Sequence, residues 1–347
     1  MVRKILFSLL ALGPLTVLVD RFTDIGDMEL FVMAALALIP LAWLIGDATE
    51  QAAHHTGPGV GGFLNATFGN APELIIALIA VNEGLFEVVR GSLTGSVVGN
   101  LLLVLGFSLL FGGRGELDRH STFVSCGLVA LATLVFLIPA VPAFEGDPDR
   151  HSIAVISVPV SIFLLLVYVV VTKITLRRHS ILHAASEAEQ PAGWSLKTAI
   201  VVLSAATVVT AFVAETLVHT LEVFSEEVGL SEFFVAAVIV AIVGNAAEHG
   251  GAVVVAYRGK LKLAAEIALA SSAQVAVFLI PAVALLSWAI DPLALAFRPV
   301  ELIVLAGSVV FTTLLLWNGH SSRLRGALLV LAYVVAATMF YIAGDRV

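Results

Sequence analysis

Apolar residues run through this chain in long blocks, separated by short polar or glycine- and proline-bearing stretches. The blocks fall at about residues 5–19, 28–45, 59–81, 92–111, 121–140, 152–172, 196–219, 230–257, 262–288, 294–317 and 325–343. Most hold close to the number of residues an α-helix needs to cross the hydrocarbon core of a bilayer. They lack the alternation of a membrane-spanning barrel strand. The pattern predicts an all-α polytopic membrane protein of 11 transmembrane helices. The first block follows Arg3-Lys4 and runs into Asp20-Arg21 without a small-residue cleavage site, so it reads as a retained helix.

Polar residues that interrupt the blocks carry the information about chemistry. The third block contains Gly69-Asn70-Ala71-Pro72-Glu73, and the eighth contains Gly244-Asn245-Ala246-Ala247-Glu248. A carboxylate inside the membrane is costly and is retained for function by default. Neither run offers a Lys or Arg that would make it a structural ion pair. The same local motif twice, once in each half, points to a transporter built from two related repeats. Gly69 and Gly244 allow another backbone to approach closely, and Pro72 removes a helical hydrogen bond. The second copy has Ala247 in place of the proline, so its break must come from Gly244 and the polar groups alone. Broken helices expose carbonyl oxygens at mid-membrane, where they can coordinate cations.

The blocks that follow repeat the pattern. Ser96 and Asn100 lie in the fourth, and Ser271, Ser272 and Gln274 in the ninth; Asn70 to Asn100 spans 30 residues and Asn245 to Gln274 spans 29. Asn100 and Gln274 read as equivalent carboxamides, each a neutral oxygen ligand, a bridge to the glutamate or a helix-knitting group. The three serines fit either cation-site support or interhelical hydrogen bonding. Glu50 and Glu215, late in the helices preceding the two motif helices, suit gate or relay carboxylates along a path, or plain interfacial charges. His249, beside Glu248, fits a proton carrier or a packing histidine. His54 and His55 fall in an expected loop before Gly57-Pro58-Gly59.

Eleven helices divide as one plus five plus five: an extra N-terminal helix (1–27), a first repeat (28–172), a polar cytoplasmic linker (173–195) and a second repeat (196–347). An odd number of helices per repeat gives the second one inverted polarity, so the two motifs approach the midplane from opposite faces. With the N-terminus in the cytoplasm and the C-terminus outside, 13 of the 18 basic residues fall on cytoplasmic segments, leaving Arg21, Arg90, Arg150, Arg298 and Arg346 in outer ones. That bias obeys the positive-inside rule. Outer loops are acidic, with Glu145, Asp147, Asp149, Glu226 and Glu227 among them, as ordinary solvated loops or as a surface that concentrates cations.

Composition agrees and excludes alternatives. The chain is 59% hydrophobic and only 13% charged, about half the charged share of a soluble domain. Its single cysteine, Cys126, removes disulfide frameworks and cysteine metal sites. There is no phosphate-binding loop and no H-E-x-x-H, so ATP-driven pumping, metalloprotease chemistry and nucleic-acid binding find no support and no cofactor is expected. Two opposed carboxylates with amide and carbonyl oxygens suit a hard divalent cation such as Ca2+. When the cation leaves, two close carboxylates in low dielectric cannot both stay ionised, and protons take its place. Cation and proton then compete for the same oxygens, which is the physical basis of exchange.

The two GNxxE stretches resemble the signature repeats of Ca2+/H+ antiporters, the cation/proton exchanger branch of the Ca2+/cation antiporter superfamily. Gly95-Ser96 through Asn100-Leu101-Leu102, and Ser271-Ser272-Ala273-Gln274 ahead of Phe278 and Pro281, extend the resemblance. It implies a secondary transporter, not an enzyme, that expels cytosolic Ca2+ against inward proton flow with Glu73 and Glu248 as central ligands. Ala273 departs from the threonine expected there. The linker lacks the long acidic run of vacuolar members, which favours a prokaryotic inner (plasma) membrane protein. A Na+-coupled exchanger, or Mn2+ as main substrate, is the nearest alternative. The lipid bilayer is the expected surrounding, and a homo-oligomer stays open.

Overall fold

The computed structural model describes residues 2–183 and 193–345. Apolar periodicity without strand-like alternation becomes a bundle of helices, and the first half is built from α1 (Val2–Leu9), α2 (Leu12–Phe22), α3 (Asp27–Phe68), α4 (Ala71–Asn82), α5 (Phe86–Val98), α6 (Leu105–Gly112), α7 (Arg119–Ala140) and α8 (His151–His183). The second half comprises α9 (Leu196–His219), α10 (Leu221–Val228), α11 (Glu232–Phe234), α12 (Ala241–Gly244), α13 (Ala246–Tyr257), α14 (Leu261–Gln274), α15 (Ile280–Leu286), α16 (Pro299–Leu316) and α17 (Arg323–Ala343). Widened π turns at Gly99–Val104, Val235–Val240 and Val275–Leu279 join α5 to α6, α11 to α12 and α14 to α15. Two short strands, β1 (Gly115–Glu116) and β2 (His320–Ser321), pair antiparallel with Gly115 opposite Ser321.

Nine helices among the described residues are long and apolar enough to cross a membrane, or ten if the pair Leu221–Val228 and Glu232–Gly244, bent by 109°, makes one span. Unbroken helices therefore do not by themselves supply the eleven expected. The difference arises at the two motif helices: α4 is a short helix of 12 residues, and the eighth block is divided among α11, α12 and α13.

A second departure concerns the stretch between the second and third blocks. The loop expected to hold His54 and His55 is helical, because α3 runs from Asp27 to Phe68. Small and apolar residues on this stretch (Ile45, Ala48) form a buried cluster with Leu203 and Ala206 of α9. Tertiary context can hold a helix through a local turn signal. His55 is exposed, and its Nε2 lies 2.8 Å from the carbonyl oxygen of Trp194.

The halves interlock rather than sit side by side. α3 packs along α9, α4 also meets α9, and α13 meets α3; α7 packs on α14 while α16 packs on α5. One contact is unusually tight: a Cβ on Gly95 of α5 would run into the backbone carbonyl of Ala237 in the π turn after α11. Only glycine lets these two segments cross so closely. Large apolar side chains such as Leu134, Leu166, Leu314 and Leu331 stay exposed on the outside of the bundle, as expected where the surrounding solvent is lipid.

Candidate cation site

Each motif sits at a helix break of nearly the same shape. α3 ends at Phe68, Asn70 leaves helical geometry at φ −101° and ψ 19°, and α4 restarts at Ala71 with Pro72 in its first turn. Proline is well tolerated there, since that N–H has no intrahelical partner anyway. α12 ends at Gly244, Asn245 takes φ −93° and ψ 4°, and α13 restarts at Ala246. The break without a proline is thus formed as well. Glu73 and Glu248 consequently occupy the first turn of a helix, where aligned peptide dipoles favour an anion.

The four helices that carry the polar residues bring them into one buried chain of hydrogen bonds. Ser271 Oγ donates to Glu248 Oε2 at 2.5 Å. Asn100 Nδ2 donates to Ser271 Oγ at 3.0 Å and to Asn245 Oδ1 at 3.4 Å. Asn245 Nδ2 donates to Ser96 Oγ at 2.8 Å and to the carbonyl of Ala241 at 2.9 Å. Residues from both halves contribute to this chain, and Ser96, Asn100, Asn245 and Ser271 are all buried.

Glu73 approaches from the other side. It is 7% exposed, and its Oε2 is buried with no hydrogen-bond partner. A Cβ built on Gly244 would lie 3.4 Å from Glu73 Cγ, so the glycine of the second break makes room for the carboxylate of the first. Asn100 Oδ1 is also buried without a partner. Unsatisfied buried oxygens of this kind are costly unless something binds them. Asn70 is fully buried at the first break.

Other expected residues are placed differently. Ser272 Oγ lies 3.1 Å from the Ala268 carbonyl and 3.3 Å from the Val97 carbonyl, tying α14 to α5 rather than reaching a carboxylate. Gln274 is half-buried and outside the hydrogen-bond chain. Glu50 and Glu215 are exposed on α3 and α9, away from the buried cluster. The side chain of His249 lies outside the described residues.

Two features escaped the sequence pattern. The π turn at Gly99–Val104 contains Asn100, and that at Val275–Leu279 directly follows Gln274; such turns recur at functional sites. Arg90 and Arg298, read as outer-loop charges, are instead buried. The only signal for either was their position beside Glu87 and Glu301, at the edges of apolar blocks.

The donor set is two carboxylates with carboxamide and hydroxyl oxygens. Among the described residues no group of three or more His, Cys, Asp or Glu side chains could hold a metal ion. Any cation here must therefore accept neutral oxygens as well as charge, which suits a hard ion of flexible geometry.

Comparisons with known proteins agree over nearly the whole length. The family model described as sodium/calcium exchanger protein matches residues 28–177 and 198–342. The chain is 40% identical over 351 residues to the Ca(2+)/H(+) antiporter ChaA of Bacillus subtilis, covering 98% of this chain and 99% of that one. It is 34% identical over 363 residues to a Ca(2+)/H(+) antiporter of Aphanothece halophytica, with 97% and 96% covered. The solved structure of native YfkE superposes with a TM-score of 0.82 at 37% identity, covering 97% of this chain and 99% of that chain.

Proposed function

This chain belongs to the sodium/calcium exchanger protein family, a family of membrane transporters rather than enzymes, and from that premise we propose that it exchanges Ca2+ for H+. In this reading it exports cytosolic Ca2+ by alternating access, with Glu73 and Glu248 as the central ligands. Asn70, Ser96, Asn100, Asn245 and Ser271 support the site. The observation that carries the proposal is the buried chain from Glu248 through Ser271, Asn100 and Asn245 to Ser96, with Glu73 facing it across Gly244. Cation binding neutralises both carboxylates; its departure leaves two charges at close quarters in a low-dielectric setting, and protons replace it. The site stays close to neutral with either cargo, so it can be occluded and turned around. The relatives named as Ca(2+)/H(+) antiporters support this choice of ions.

The same reading places the protein in a prokaryotic plasma membrane, with the N-terminus cytoplasmic and the C-terminus outside, on the strength of the basic-residue bias. It divides the chain into an extra helix and two five-helix repeats joined by the 173–195 linker. The two separate stretches matched by the family model support that division.

The test is uptake of radiolabelled Ca2+ into proteoliposomes that are acidic inside and nominally free of sodium. Uptake should collapse on adding a protonophore, and the half-saturating Ca2+ concentration should fall as external pH rises, because fewer protons compete. Uptake that waits for a sodium gradient would overturn proton coupling and keep the glutamates only as ligands.

A further inference from the structure

A second group of buried charges lies where α5 begins. Arg90 is 1% exposed. Its guanidinium donates to both oxygens of Asp149 (2.6 and 3.3 Å), to Glu87 Oε1 (2.9 Å) and to the Ala294 carbonyl (3.2 Å). Glu87 Oε2 in turn accepts from Arg298 at 3.4 Å. Arg298 also donates to the carbonyls of Ala343 and Gly344 and lies 4.5 Å from the ring centroid of Phe233. Glu301 is fully buried, accepting from the Thr94 hydroxyl at 2.9 Å and from the Arg298 backbone N–H at 2.7 Å.

These contacts grip the starting ends of the two segments that meet at the cation site. Thr94 precedes Ser96 by two residues on α5. Phe233 stands at the head of the α11–α12 segment that ends in Asn245, and its backbone N–H donates to Asp345 at 2.9 Å. Between the two grips, Gly95 is pressed against the Ala237 carbonyl. A small shift of α5 along its axis would therefore separate Ser96 and Asn100 from Asn245. At the start of α14, by contrast, Lys262 meets Asp118 at 3.9 Å with both side chains well exposed. Buried ionic networks are poor stabilisers compared with apolar packing, and their best-attested use is to fix register.

We propose that Arg90, Arg298 and Glu301 are positioning residues for the cation site. They set the register of α5 against the α11–α12 segment, so that Ser96 and Asn100 face Asn245 at bonding distance. The inference rests on the assignment of a Ca2+ site under the proposed function, and its test separates the two. Ca2+ binding is measured by calorimetry on the purified full chain, alongside thermal unfolding without Ca2+. Thr94→Val and Glu301→Gln should each raise the dissociation constant by about fivefold or more, the scale of one lost buried hydrogen bond, and Thr94→Ser should restore it. A purely structural role would lower the unfolding temperature of these variants and leave the affinity of the folded protein alone; that result overturns the proposal. If the wild type itself binds no Ca2+, the site assignment has failed and the positioning role falls with it.

Discussion

Asn70 and Asn245 bend the backbone in almost the same way, yet the carboxylates they deliver have different surroundings. Glu248 accepts a short hydrogen bond from Ser271, a residue of its own half. Glu73 has a buried oxygen with no partner and faces the bare backbone of Gly244. Near-identical motifs therefore do not give their carboxylates equivalent surroundings. The second half holds its carboxylate in place with a hydroxyl, whereas the first leaves its own free to meet a cation or a proton. The difference follows from what stands on the next helix: α14 offers Ser271 to its own repeat, while Ser96 on α5 and Asn100 in the π turn after it are spent across the interface on Asn245 and Ser271.

Neutralising either glutamate is the severest way to probe this contrast. Glu73→Gln and Glu248→Gln should each abolish exchange while the protein still inserts, a loss of about a hundredfold or more from removing half of the ligand charge. Thermal unfolding without Ca2+ then distinguishes the two. Glu73→Gln removes a buried charge that lacks a hydrogen bond on one oxygen, and should raise the unfolding temperature by a few degrees. Glu248→Gln only weakens a satisfied bond, and should raise it less or lower it. Equal shifts would mean that the two carboxylates are equivalent after all.

A milder pair tests the hydroxyls. Ser271→Ala deletes the bond to Glu248 and the acceptor for Asn100, and should weaken apparent Ca2+ affinity by about tenfold, roughly 1.4 kcal/mol. Ser272→Ala removes contacts only to backbone carbonyls on α14 and α5, and affinity should stay within about twofold, since such bonds contribute to helix association rather than to charge. Radiolabelled uptake against Ca2+ concentration reads both, and a Ser272 effect as large as that of Ser271 would break the distinction.

The paired carboxylates and the break after each glycine were legible in sequence because membrane insertion makes a polar residue conspicuous and repetition makes it specific. Asn100, Ser96 and Ser271 were legible for the same reason. The continuity of α3 was not, since Gly57-Pro58-Gly59 is locally a turn signal, yet the helix runs through it to Phe68. Nor were the π turns, which leave no periodic trace over five or six residues. Arg90 and Arg298 were misread because charge at the edge of an apolar block looks solvated; only the fold reveals that Asp149, Glu87 and the ends of other helices close over them.

Gln274 gives the finest test, because spacing and structure part company there. Its spacing makes it the counterpart of Asn100, yet Asn100 bridges Ser271 and Asn245 while Gln274 stays half-buried outside that chain. Asn100 lies inside its π turn, whereas Gln274 ends α14 and the π turn that starts at Val275 directly follows it. Sequence symmetry thus predicts equal losses for the two alanine variants, and the hydrogen bonds predict unequal ones. Asn100→Ala should weaken Ca2+ affinity by about tenfold, the scale of a buried network losing a shared donor. Gln274→Ala should leave it within about twofold, as for a side chain with no bond to the site. Equal losses would show that Gln274 swings into the site during transport, and the two halves would then exchange roles between the two sides of the membrane.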